Sequence, residues 1–217
     1  MGSGVTPGAL LHPDVSFGVA HACAEGEQIS GDAWVAVAAG DTVLLAAIDG
    51  LGHGAAAGEA AVRAADVLRD SIGEPLPAAV TACHAALAGT RGAALTVARI
   101  DVGERSLTWL GIGNVAGVLA PAGAQTPAAA ALLLGGVVGD SLPELVPVTL
   151  PIGDGDTLLL ATDGVESTVA DELRVRGSLG PLADGLLHRH RRGVADDALV
   201  LVARFSPGHA HPGSIVS

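Results

Sequence analysis

The sequence predicts an α+β domain in which mostly antiparallel sheets are covered by helices. Apolar runs of strand length come in groups, helical periodicity occupies separate stretches between them, and neither an internal repeat nor a linker divides the chain. Helices following every strand, as parallel sheets require, are not seen.

Taken in order, residues 1–14 are rich in Gly and Pro and read as a loose N-terminal segment. Val15–Ala22 reads as a strand, and Ala33–Ala39 and Thr42–Ile48 pair across a turn at Gly40-Asp41. From Ala55 to Ile72 the polar residues Glu59, Arg63, Asp66 and Asp70 recur at steps of four and three, which predicts an amphipathic helix. A second helix follows Pro75-Leu76-Pro77 and ends near Ala88. Strand patterns return at Ala93–Ile100, Leu107–Ile112, Val115–Ala120, Val146–Leu150 and Thr157–Ala161. Helical pieces are expected near Asp171–Arg176 and Leu179–Arg191, then a last strand, Ala198–Phe205, and a mobile tail from 206 to 217. The domain expected is therefore 15–205.

Composition excludes several functions. The 217 residues carry 23 acids against 11 cations, a net charge of -12, and every cation is an arginine. Without lysine there is no P-loop Lys, kinase Lys or Schiff-base Lys. The acidic balance and the four aromatics, Trp34, Trp109, Phe17 and Phe205, argue against nucleic-acid binding. The stretch from Ser106 to Gly139 carries no charge, yet Gly111, Gly113, Asn114, Gly117 and Pro121 break it, so no membrane span is expected. Isolated Cys23 and Cys83 and the lack of a signal-peptide pattern suit a cytoplasmic protein.

The informative acids stand at strand ends. Asp49 ends the run from Val43 to Ile48, Asp163 follows Leu158 to Thr162, Asp196 and Asp197 open Ala198 to Val202, and Asp32 opens Ala33-Trp34-Val35. Asp49-Gly50 or Asp163-Gly164 alone would be an ordinary hairpin turn. Turn chemistry does not predict four acidic strand ends together, where the carboxylates would repel; a hard cation with oxygen ligands, Mg²⁺ or Mn²⁺, would offset them.

The motifs, in order, are Ser30-Gly31-Asp32, Asp49-Gly50-Leu51-Gly52-His53-Gly54, Arg91-Gly92-Ala93, Gly111-Ile112-Gly113-Asn114-Val115, Gly153-Asp154-Gly155-Asp156, Thr162-Asp163-Gly164-Val165-Glu166 and Asp196-Asp197. This series resembles the SpoIIE-like branch of the metal-dependent PPM protein phosphatases, from about Val15 to Phe205. The resemblance implies a four-layer α-β-β-α sandwich with a two-ion Mn²⁺ or Mg²⁺ site at one end. A water bridging the ions would attack phosphoserine or phosphothreonine in line, on a phosphorylated bacterial stress-signalling regulator.

It further implies that Asp49 bridges both ions, that Gly50 offers its carbonyl to one, and that Asp163 and Asp196 complete the other shell. Asp32 would hold the site directly or through water, Asp197 would replace Asp196 if the pair is displaced by one, and Asn114 would line the site. His53 is either a proton donor near the substrate or a cap on the following helix, the plainer of the two. The arginine that many relatives place near the chain start is missing: no Arg precedes Arg63, so phosphate orientation falls to the metals or to a residue such as Arg91. The basic run from His188 to Arg192 reads as a solvated helix end or a docking spot. The competing expectations are a catalytically weak module of the same fold that binds a phosphorylated partner, and a hydrolase of a small phosphorylated metabolite.

Overall fold

A computed structural model describes residues 3–123, 129–173 and 177–208. In chain order the strands are β1 (Ser3–His12), β2 (Val15–Ala22), β3 (Asp32–Ala39), β4 (Thr42–Gly50), β5 (Ala93–Asp101), β6 (Ser106–Ile112), β7 (Ala116–Ala120), β8 (Ala129–Ala130), β9 (Leu133–Leu134), β10 (Val148–Pro151), β11 (Thr157–Ala161) and β12 (Ala198–Phe205). The helices are α1 (Ala55–Asp70), α2 (Leu76–Leu87) and α3 (Leu179–His190), with a 3-10 turn at Ser167–Glu172. One sheet runs β1-β2-β12-β11-β7-β8; the other runs β10-β6-β5-β4-β3, with β9 beside β6. The pairing of β9 with β6 is parallel and every other ladder is antiparallel.

The layers follow from alternation along strands buried on both faces. In β4, Val43, Leu45 and Ala47 face the core between the sheets, with Leu158, Leu160, Leu199 and Leu201 opposite. The intervening Leu44, Ala46 and Ile48 face outward and pack with Ala60, Ala61, Ala64 and Leu68 of α1 and with Val80 and Leu87 of α2. On the other sheet, Leu159, Val200 and Val202 face outward against Leu182, Ala183 and Leu186 of α3. Two buried faces explain why these strands read as unbroken apolar runs. The product is the α-β-β-α sandwich. Small side chains on α1 let it lie close to its sheet, which matters at the site below.

Three expectations are corrected. The N-terminal segment is not loose: β1 pairs with β2 as an edge strand, and its register shifts between Thr6 and Ala9, around Pro7. A proline is tolerated at an edge because its missing N–H leaves no internal ladder bond unmade. The helical piece near Asp171–Arg176 is instead the 3-10 turn at Ser167–Glu172, closed by Val169 N–H donating to Glu166 O at 3.0 Å, while 174–176 lie outside the described residues. The strand expected at Val146–Leu150 begins at Val148, and β8 and β9 are too short to carry a pattern. Most of the tail, 209–217, lies outside the described residues. Among the described residues no helix is long and apolar enough to cross a membrane.

Candidate metal centre

Strand register brings the first two acids together. Asp32 and Asp49 are directly opposite on β3 and β4. Asp49 shares parity with Val43, Leu45 and Ala47, so its side chain turns toward the space between the sheets. At Gly50 a Cβ would come within 2.1 Å of the Ala57 carbonyl oxygen. Only glycine allows α1 to approach that closely, and the Gly50 N–H donates to Gly31 O at 3.0 Å, tying the β4 end to the segment before Asp32.

The opposite sheet contributes through the end of β11. Thr162 Oγ1 donates to Asp32 Oδ2 at 2.8 Å and accepts the Leu199 N–H at 2.9 Å, so one hydroxyl joins the two sheets at their acidic end. Asp163, the next residue, is exposed. Asn114, just past β6, donates from Nδ2 to Asp163 Oδ2 at 2.6 Å and also hydrogen-bonds Asp49. Asn114 thus connects acids borne by different sheets.

The final acidic pair divides by parity. Asp197 is in step with the inward-facing Leu199 and Leu201, and it is only 3% exposed. Its Oδ1 accepts the Ala24 N–H at 2.9 Å and its Oδ2 the Gly31 N–H at 2.8 Å. Both oxygens are therefore engaged in holding the loop that leads to Asp32. Asp196 is exposed at the mouth, with Oδ1 accepting the Asp197 N–H at 2.9 Å.

The crowding shows in the proton affinities. Burial, then the repulsion of Asp163 and, less strongly, of Asp196 and Asp197, pushes Asp49 up to about 7, against an opposing hydrogen bond from Asn114. Asp32, part-exposed by area but surrounded by protein at its strand end, is held well above the usual carboxylate range by burial first and by Asp49 second. A cation among these groups would reverse both effects, because opposite charge favours the ionised form.

Among the described residues no group of three or more His, Cys, Asp or Glu side chains is drawn together closely enough to hold a metal ion by itself. That arrangement still suits a hard ion that keeps several of its waters and takes only one or two protein carboxylates. The donors are all oxygen, and their mutual repulsion is what such an ion relieves. Mn²⁺ or Mg²⁺ therefore fits this donor set.

Other sequence candidates lie around the cluster or away from it. His53 does not cap α1: the cap position is Gly54, without a side-chain bond, and the His53 ring pairs through Nδ1 with Glu27 Oε1 at 2.9 Å. At 63% exposed, its side chain sits on the rim. Asp156, in the Gly-Asp repeat, accepts N–H groups from Ala122 and Gly153 at the far end of β11 and is structural. Cys23 and Cys83 are free thiols, and burial pushes Cys83 up to about 12.

The basic run at the end of α3 is only partly solvated. Arg191 Nη2 donates to the carbonyls of Cys23 and Asp196 at 2.6 and 2.9 Å, Arg192 N–H donates to Gly164 O at 2.9 Å, and buried His190 has Nδ1 3.2 Å from Thr168 Oγ1. The helix end thus braces the loops that carry Asp163 and Asp196. Thr162, Glu27 and Arg191 were not anticipated as site residues. Thr162 alone left a trace, as a hydroxyl breaking an apolar run next to a strand-end acid.

The family described as stage II sporulation protein E (SpoIIE) matches residues 39–206, more than half of the chain but starting after Asp32. Phosphoserine phosphatase RsbX of Bacillus subtilis (strain 168) is 30% identical over 95 residues, 44% of this chain and 48% of that protein, so the match spans about half of this curated relative. A chain from a structure described as the bacterial stressosome, a modular system adapted to control secondary messenger signaling, superimposes with a TM-score of 0.80 at 27% identity, over 88% of this chain and 99% of its own. RsbX in complex with magnesium gives 0.82 at 21% identity, over 93% and 100%. Since the family match covers most of both sheets, and the whole sandwich superimposes on a solved phosphatase of that kind, the chain belongs to the SpoIIE family within the PPM phosphatase fold.

Proposed function

We propose that this chain is a Mn²⁺/Mg²⁺-dependent protein serine/threonine phosphatase acting on a phosphorylated regulator of bacterial stress signalling in the cytoplasm. The observation that carries the reading is the set of carboxylates drawn from β3, β4 and the ends of β11 and β12, close enough to raise Asp49 to about 7. The likeness to a protein named phosphoserine phosphatase supports the substrate class.

In this reading Asp32, Asp49 and the Gly50 carbonyl serve one side of a two-ion site, and Asp49, Asp163 and Asp196 the other. Ions held there would polarise the phosphoryl oxygens and supply a water nucleophile at neutral pH. Asp197 positions rather than binds, because its oxygens hold Ala24 and Gly31. Asn114 orients Asp163 and Asp49, and Thr162 fixes Asp32 across the sheets. His53, kept in place by Glu27, offers the substrate chain a contact on the rim. No step calls on a nucleophilic side chain.

Hydrolysis of p-nitrophenyl phosphate with and without Mn²⁺ tests this. Activity that needs the metal and disappears in Asp49→Asn is expected. A folded protein inert under Mn²⁺, Mg²⁺ and Co²⁺ alike would sink the proposal, and binding of a phosphoserine peptide by such a protein would mark it as a binding module.

A further inference from the structure

We infer that Arg91 binds the phosphoryl group of the substrate, an assignment that rests on the phosphatase reading above. A phosphate monoester dianion is met most strongly by a guanidinium, which can offer two parallel N–H donors. In a chain without lysine, arginines are the available side chains of that kind.

Most of them are already engaged. Arg63, Arg69 and Arg189 pair with Glu59, Asp66 and Glu172. Arg99, Arg191, Arg192 and Arg204 donate to backbone carbonyls. Among the described residues, Arg91 and Arg105 remain without an acceptor. Strand register separates these two. Gly50 lies opposite Ala93 and Thr42 opposite Asp101, so Arg91 precedes β5 at the acidic end and Arg105 follows it at the other end of the sheet.

The position of Arg91 is built rather than incidental. Its guanidinium lies against Gly52, in the loop between Asp49 and α1, with Nη1 2.6 Å from where a Cβ would stand. The backbone beneath is tied to the same loop, since Leu51 N–H donates to Gly92 O at 3.1 Å. Thr90 Oγ1 accepts the Gly92 N–H at 3.1 Å and donates to Leu87 O at 2.7 Å, which fixes the turn that carries the arginine. An exposed cation with unmade hydrogen bonds is thereby held over the segment that begins at Asp49. The substrate's phosphoryl oxygens supply the acceptors that the described residues do not.

The test compares wild type, Arg91→Ala and Arg91→Lys in saturating Mn²⁺, on p-nitrophenyl phosphate and on a phosphoserine peptide, with inorganic phosphate as inhibitor. Arg91→Ala is expected to raise KM for both substrates and the inhibition constant for phosphate about tenfold, the scale of one charge-assisted contact. The Mn²⁺ concentration for half-saturation stays unchanged, and Arg91→Lys recovers part of the loss. Unchanged constants in an active variant overturn the assignment, as does a rise confined to the peptide, which would mean that Arg91 reads a flanking residue. If wild type hydrolyses neither substrate, the phosphatase reading fails; direct titration with inorganic phosphate then decides Arg91, with equal binding by wild type and Arg91→Ala counting against it.

Discussion

Replacing Asp197 by alanine should cost more stability than any change at its neighbour Asp196. Each Asp197 oxygen accepts a backbone N–H in a 3% exposed position, at 2.9 and 2.8 Å. Hydrogen bonds to a charged group contribute roughly 1.5–3 kcal/mol each, and truncation leaves two donors unpaired. The loss of about 3–6 kcal/mol is partly offset, because Asp197 also repels Asp32 and Asp49. A net loss of about 3 kcal/mol lowers Tm by roughly 6–12 °C in a chain of this size. Asp196→Asn, at an exposed position, should move it by less than about 2 °C, as exposed changes do. Calorimetry in EDTA measures both shifts, and a repeat with Mn²⁺ separates positioning from binding. The reasoning is refuted if Asp197→Ala unfolds within about 2 °C of wild type. It also fails if the Mn²⁺-induced rise in Tm vanishes in Asp197→Asn but survives intact in Asp196→Asn.

Two further outcomes follow from the same geometry. An unfolded chain releases the Asp49 proton near 3.9, whereas the folded, metal-free protein holds it to about 7, so the folded state binds more protons between those values. Metal-free stability should therefore fall as pH rises from about 4 to about 7 and then level off, with Mn²⁺ removing much of the fall; a metal-free Tm that climbs steadily over that range in wild type, but not in Asp49→Asn, would contradict the assignment. Gly164→Ala would set a methyl 2.0 Å from the Asp197 carbonyl oxygen, and the backbone shift it forces should lower Tm and raise the Mn²⁺ requirement together; wild-type metal dependence in this variant would show that the two loops move independently.

How far these features were legible depends on the range over which each is encoded. The apolar runs of β4, β11 and β12 and the Asp that closes or opens each are local, so strand ends and their acids could be read directly. Alternation even carries the inward turn of Asp49 and Asp197, once a face is known. The acids' motif order was enough for the family resemblance. Edge strand β1 escaped because Gly and Pro suppress the strand pattern, and its place depends on pairing with β2.

By itself, then, the sequence determined the α+β class, the segregation of helices and the acidic strand ends, all consequences of patterns within about ten residues, while the sandwich followed only from the family resemblance. Tertiary structure decided how those acids share the work. Asp197 was assigned to the Ala24–Gly31 loop across 173 and 166 residues of chain, and Thr162 to Asp32 across 130. The helix end at Arg191 became a brace for Cys23 and Asp196, and among the described residues Arg91 stood out as the cation at the acidic end without an acceptor. The physical reason is that a hydrogen bond is satisfied by whatever group the packed sheets bring within about 3 Å, and no local pattern records which group that is.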